Sequence, residues 1–519
     1  MSASEGGMPR QLVPRWRTWR TTAGLGESVG STRGGRVLRV MDDERALSQF
    51  EARPNAGRAA ELLTMALLYQ YHDKKINAIA SDFLNYQRPL LRDVAAAAIA
   101  DPGRQGRPAE TMEDRDSRGM IALLKVVLAR DPRNALRWAD LAREYTVLAQ
   151  PTKATEAIRI GLQLAPENRF LLRSTAALYV HIGDTEAALR ILETAPMLKY
   201  DPWVLAPYVA ISDLADHKSH YHRVAVRLLQ DRNIGPRDLA ELAAALGTSE
   251  LNAGGGRRGR QLLRQSVEDP TENSLAQVEW MSARLHVRLI GDMASGVPLD
   301  FEARARRAAY EGLWEGAVSF SSQWLLDQPF SMPAACFGSY CASMSEDWGS
   351  TVHLANVGLR SNPGDPILLN NRAVALVELG KIRDAVKDLS DCRRAQTRLR
   401  DRAVLIATEG LLFFRIGMIE EGRRRYDKVI TFFEDRHEVD IAARAALMLA
   451  REEILANTIE AGSSVKRADA LTRSNPPADV QTLRKRIGSL SREAGTAAVI
   501  APKSVEPYLE PLLDIPVMS

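Results

Sequence analysis

At 519 residues the chain exceeds what one compact core supports, while 45% hydrophobic and 26% charged residues are ordinary for a folded soluble protein. Aromatic residues make up only 6%, which suits closely packed, Ala- and Leu-rich helices better than a sheet. The formal net charge of +4 is uneven: Met8–Val40 carries seven arginines against Glu27, a net of +6, and residues 41–519 net −1.

Cys336, Cys341 and Cys392 form no CxxC pair and one is left over under any pairing, which predicts reduced thiols in a cytoplasmic setting. The N-terminus has charge without the apolar stretch of a secretory signal. The longest uninterrupted apolar run, Val94–Ala100, is far shorter than the ~20 residues of a membrane-spanning helix.

In chain order, residues 1–40 read as a disordered basic tail of Gly, Ser, Thr and Arg. Within it Arg15-Trp16-Arg17-Thr18-Trp19-Arg20 is a basic and aromatic patch. N-terminal helices are expected within 41–100, and a Pro- and Gly-containing linker over 101–118. Residues 119–296 then follow a 34-residue grid that degenerates partway. Trp138, Leu141, Ala142 and Tyr145 share one helical face, and Ala154, Ile158 and Gly161 follow on a second helix. Ala176, Tyr179, Gly183, Ala188 and Leu192 recur at matching offsets, and Pro132 and Pro166 stand one period apart. The grid returns over 297–436, where Ala317, Thr351 and Ala385 fill one small-residue site. Terminal helices are expected over 437–494, and the Pro-rich tail 495–519 cannot form one continuous helix.

This pattern resembles the tetratricopeptide repeat (TPR) family. The resemblance implies an all-α fold, a right-handed superhelical solenoid of TPR-like helix-turn-helix repeats with flexible N- and C-terminal tails. A HEAT-like solenoid is the alternative, and the short constant period with proline in the loop favours TPR. Small residues at Ala142, Ala176, Ala305, Ser339, Ala373 and Gly410 are expected where paired helices approach closely.

The resemblance further implies a concave groove lined by the first helix of each repeat. The groove-facing positions supply Arg143, Arg173, His181, Glu302, Arg306, Tyr310, Tyr340, Asn370 and Arg415, with apolar Leu136, Phe170, Val180, Val374 and Phe414. Such a lining predicts a non-catalytic protein-interaction scaffold binding one or more proteins through an extended or helical acidic peptide. The Lys/Asn clamp by which some TPR domains hold a chaperone's C-terminal carboxylate is not matched, because Ala139, Arg143 and Ser174 stand at its positions.

The second expectation is an adaptor for nucleic acid or an anionic membrane, with Arg15, Trp16, Arg17, Trp19 and Arg20 as an anion-binding tail. His217, His220 and His222 are spaced as metal ligands on a helix, but a turn between helices also carries such residues. Asn252–Arg260 is Gly-rich without the Lys-Ser/Thr of a phosphate loop. No catalytic grouping, metal or cofactor is expected. Val505–Leu513 is an acidic and apolar segment able to lie in a groove.

Overall fold

The computed structural model describes residues 12–24, scattered positions between 47 and 78, and residues 116–217, 220–285, 287–290, 296–395, 398–493 and 509–513. The helices expected within 41–100 and the linker at 101–118 lie almost wholly outside the described residues. Two compact units divide the chain: Pro9–Ala303 with Leu326–Gln328, and Arg304–Leu325 with Pro329–Ser519. All regular structure among the described residues is helical.

The N-terminal unit begins with α1 (Trp19–Gly24) and α2 (Ser117–Arg130). Four helix pairs follow: α3/α4 (Ala135–Val147, Pro151–Leu164), α5/α6 (Arg169–His181, Thr185–Glu193), α7/α8 (Pro202–Leu214, His222–Leu229) and α9/α10 (Pro236–Asn252, Gly256–Gln265). The helix α11 (Glu272–Leu285) ends the series. The C-terminal unit holds most of α12/α13 (Phe301–Tyr310, Trp314–Asp327). It continues with α14/α15 (Met332–Met344, Trp348–Ser361), α16/α17 (Pro366–Glu378, Ile382–Arg394) and α18/α19 (Leu399–Arg415, Ile419–Glu434). It closes with α20/α21 (Val439–Leu455, Ala461–Leu471), α22 (Ala478–Glu493) and the short α23 (Glu510–Leu513).

Local chemistry sets where each helix starts. Asn134, Asn168, Asp184, Asp347 and Asp365 each accept a bond from a backbone N–H of the first turn they precede. Pro151, Pro202, Pro236 and Pro366 occupy first helical positions, where the absent N–H costs nothing. The turn inside each pair needs one left-handed residue. Gly183 supplies it at φ 83°, and Ala149, 34 positions earlier, adopts φ 51° although it has a Cβ.

The pairs stack because the first helices touch one another. In the N-terminal unit α3, α5, α7, α9 and α11 pack in succession, and in the C-terminal unit α14, α16, α18 and α20 do the same. The second helices meet their own partners and the neighbouring first helix instead. First helices therefore form the tighter, inner layer of a TPR-like solenoid, as the sequence pattern requires. Ala142, Ala176, Ala305, Ser339 and Ala373 are fully buried between helices. At α18/α19 the helices leave no room for a side chain: a Cβ on Gly422 would stand 2.5 Å from the Phe414 ring and 2.9 Å from the Gly410 carbonyl oxygen.

Because that neighbour includes backbone, Gly422→Ala must push the two helices apart. Its expected cost is about 1–3 kcal/mol, read as a lower denaturation midpoint with an unchanged denaturant slope.

Candidate functional site

A non-helical backbone inside a protein cannot satisfy its own amides, so whatever holds it must supply donors and acceptors. Residues 12–18 form neither helix nor strand and lie against first helices of the N-terminal unit, and α1 starts at Trp19. Leu12 enters the apolar cluster that contains Leu172, Ala176, Leu205 and Val209. Four array side chains read the backbone of this segment. Asn273 Nδ2 on α11 donates to the Val13 carbonyl at 3.2 Å. Arg143 Nε on α3 donates to the Trp16 carbonyl at 3.0 Å. The Trp16 N–H donates to Gln328 Oε1 at 3.3 Å, and the Trp19 N–H to Asp140 Oδ1 at 3.2 Å.

Side chains of the segment are held as firmly as its backbone. Trp16 and Trp19 are 1% and 0% exposed. The Arg137 guanidinium stands 5.3 Å from the Trp19 ring centroid. Arg17 is 2% exposed, and a charge so buried must be neutralised locally. Its Nε lies 3.0 and 2.9 Å from the two oxygens of Asp327, and its Nη1 donates to Glu272 Oε1 at 2.7 Å. Arg15 pairs with Glu302.

The carboxylates respond as this geometry demands. Burial pushes Glu272 up, but the charges of Arg17 and Arg15 outweigh it and hold the carboxyl below its usual range. Asp327 is likewise held low: burial opposes, and Arg17, Gln328 and Arg143 prevail. Asp140 goes the other way, raised to about 6 by burial that Arg137 and the Trp19 N–H only partly offset.

Of the tail expected to be disordered and anion-binding, the described residues lie against the array. Trp16, Arg17 and Trp19 face protein, Arg15 is tied to a glutamate, and Arg20 is the exposed member of the patch. Phosphate contacts through Arg15 and Arg17 would require breaking buried ion pairs. Residues 1–11 and 25–40 lie outside the described residues.

The groove positions also take on new partners. Arg143 bonds Glu144 at 3.1 Å and the Asp327 carbonyl at 3.0 Å, besides Trp16. Arg173 reaches the Trp203 carbonyl at 2.6 Å and Glu241 at 3.0 Å. Arg143 and Arg173, expected to face an acidic peptide, are each paired with an acid of the array itself. His181 is half-buried, and burial holds its imidazole down to about 4, neutral at pH 7. Leu136 and Phe170 are buried within the array, and Val180 is partly so.

In the C-terminal unit α22 packs against the first helix α20, with Val480, Leu483 and Ile487 buried at helical spacing. The Tyr340 hydroxyl donates to Asp479 at 2.5 Å, Arg444 pairs with Asp479, and Arg486 donates to the Met344 carbonyl. Arg415 and Arg451 bridge Glu378 and Glu452 across α16, α18 and α20. Arg306 stacks 5.6 Å from the Trp324 ring centroid and 5.3 Å from that of Phe337. Asn370 is buried beside Pro366 and Cys392, Val374 and Phe414 are core residues, and Tyr310 is 42% exposed.

The Val505–Leu513 tail is described only over 509–513. There Leu509 and Leu512 are buried, and the Leu512 carbonyl accepts from Arg425 and, at 3.3 Å, from Arg393, residues of the second helices α19 and α17. The remaining candidates separate. His217 and His222 lie 3.7 Å from different acids, Glu186 and Glu250, and no metal-ligand group of three forms among the described residues. Gly254, at φ 88°, belongs to the turn between α9 and α10.

The functional residues that the repeat pattern missed are the acids Asp140, Glu144, Glu241, Glu272 and Asp327. Asp140 and Glu144 stand one helical turn apart beside Arg143, a signal open to local reading. Glu272 and Asp327 meet Arg17 across sequence separations of 255 and 310 residues, which no local pattern carries.

Arg17→Met keeps the bulk of the stem but leaves Glu272 and Asp327 with a lost cation, a change worth about 3–5 kcal/mol. The segment should leave the array, and trypsin should then cut at Arg15 or Arg20 while far-ultraviolet circular dichroism stays helical. A second expectation concerns pH. Asp140 binds its proton more tightly folded (about 6) than unfolded (3.8), so the native state gains stability as pH falls through that window. The gain is on the order of 2–3 kcal/mol. The contributions of Glu272 and Asp327 run oppositely, present above the ordinary carboxylate range and lost below it. Asp140→Asn should flatten the stability curve between about 6 and 3.8, with the acid-side loss retained.

No family model matches the chain, and no curated protein does. Among solved structures it resembles the Cut9–Hcn1 hetero-tetramer of the APC/C at 13% identity, covering 86% of this chain and 92% of that one, with a TM-score of 0.37. Yeast Tom70 is similar at 12% identity over 73% of this chain and 92% of that one, with a TM-score of 0.31. The human IFIT1 dimer with m7Gppp-AAAA is similar at 14% identity over 64% and 89%, with a TM-score of 0.35. The TPR-like architecture rests on this chain's own helix pairs and their 34-residue period.

Proposed function

We propose that this chain is a non-catalytic protein-interaction scaffold whose inner layer of first helices holds a segment of a partner protein. One observation supports the reading: the N-terminal inner face already grips an irregular stretch of polypeptide, whose carbonyls accept from Asn273 and Arg143 and whose N–H groups donate to Gln328 and Asp140. Recognition of this kind takes affinity from the backbone and specificity from side-chain pockets, here those of Trp16, Arg17 and Trp19. A hydrogen-bonded, largely buried seat suits holding a chain better than turnover, and among the described residues around it no nucleophile stands beside a base.

The test is site-specific photocrosslinking in cells that make the intact protein. A benzoylphenylalanine at Tyr310 or His181, on first helices, should capture a defined protein partner. The same group at Lys387 or Arg424, on second helices, should not. Equal capture from both layers, or protein capture from neither, would remove the scaffold reading.

A further inference from the structure

We infer that the inner face of the N-terminal unit is a receptor site for a basic–aromatic peptide segment, Arg-Trp-Arg-x-Trp in chemistry, on a partner protein. The segment 12–22 is then its resident stand-in, which the partner displaces. This deepens the scaffold reading and rests on it. The argument starts from charge. Glu272, Asp327 and Glu302 converge where Arg17 and Arg15 enter, while Arg143 and Arg173 are directed at Glu144, Glu241 and carbonyl oxygens. A ligand for that place must bring cations, and a planar guanidinium matches the paired carboxylates in two directions at once.

Geometry supplies the rest of the specificity. Trp16 and Trp19, buried on either side of Arg17, fill two pockets that a purely basic peptide would leave empty. The four backbone contacts fix the direction and register of the chain and do not depend on its side chains. The site is thus sequence-selective at three side chains and tolerant between them. Tethering favours the resident segment, because its effective concentration exceeds that of a free partner. A partner succeeds by presenting the same chemistry with better contacts, or when the resident segment has been weakened.

The experiment uses the full chain and a fluorescent peptide of the sequence Leu12–Gly24. Full-length Arg17→Glu should expel its own segment and bind the wild-type peptide one to one, at least tenfold more tightly than the wild-type protein does. A peptide carrying Arg17→Glu or a scrambled order should not bind. Gain of binding is not a property of a misfolded variant. In the wild-type protein, saturating peptide should also speed hydrogen exchange at the Trp16 and Trp19 amides. That second measurement decides the matter if the variant does not fold. Absence of peptide uptake by a folded Arg17→Glu chain, equal uptake of the scrambled peptide, or unchanged exchange at saturation overturns the proposal. So does dimerisation of Arg17→Glu without peptide uptake, which would assign the face to a second copy. Crosslinked partners without peptide binding would sink the receptor site alone, whereas peptide binding without any crosslinked partner would sink the scaffold and keep the site.

Discussion

A helix pair buries one face against its neighbours and leaves another, and the inner layer of each unit is where that constraint becomes visible. First helices pack on one another in succession, and other segments of the chain lie against them. In the N-terminal unit the segment is an irregular one anchored by Arg17 between Glu272 and Asp327. In the C-terminal unit it is α22, seated by Val480, Leu483 and Ile487 and by the Tyr340–Asp479–Arg444 contacts. The first helices of the two units thus meet two kinds of polypeptide, irregular in one and helical in the other, and the difference follows from chemistry. A helix satisfies its own amides and needs only an apolar stripe, whereas an irregular stretch needs the array to supply partners.

The repeats were legible because the elements that define them act locally. A proline at a helix start, an asparagine or aspartate before it, and a small residue at a helix crossing each do their work within a few residues. Ala142, Ala176 and Ala373 could therefore be placed at close approaches from the sequence alone, and they are fully buried. Gly183 marked its turn, but Ala149, in the same left-handed conformation one period earlier, carried no such mark.

The candidate site was only half legible, for a physical reason. Arg15–Arg20 was visible as an unusual patch, and polarity made it look solvated, because an arginine is normally cheapest in water. What reverses that preference is a pair of carboxylates hundreds of residues away, one on α11, which follows the 34-residue grid poorly, and one at the end of α13. Local reading has no access to such a pair. The groove positions were placed on the first helices, but their meaning changed for the same reason: Arg143 and Arg173 are bonded into the array with Glu144 and Glu241.

Arginine in a groove is commonly taken to attract acids, and this site shows why the inference needs the whole neighbourhood. A guanidinium whose donors are spent on a carboxylate and on carbonyl oxygens projects little net charge. It acts instead as a rigid bracket that aims those acceptors and positions a backbone. Arg143 does this for the Trp16 carbonyl, the Asp327 carbonyl and Glu144 together. With the array's own cations used as brackets, the cations that enter beside Glu272, Asp327 and Glu302 belong to the bound segment. The charge of that segment is then matched by these three acids, which the repeat pattern did not mark as part of its lining apart from Glu302.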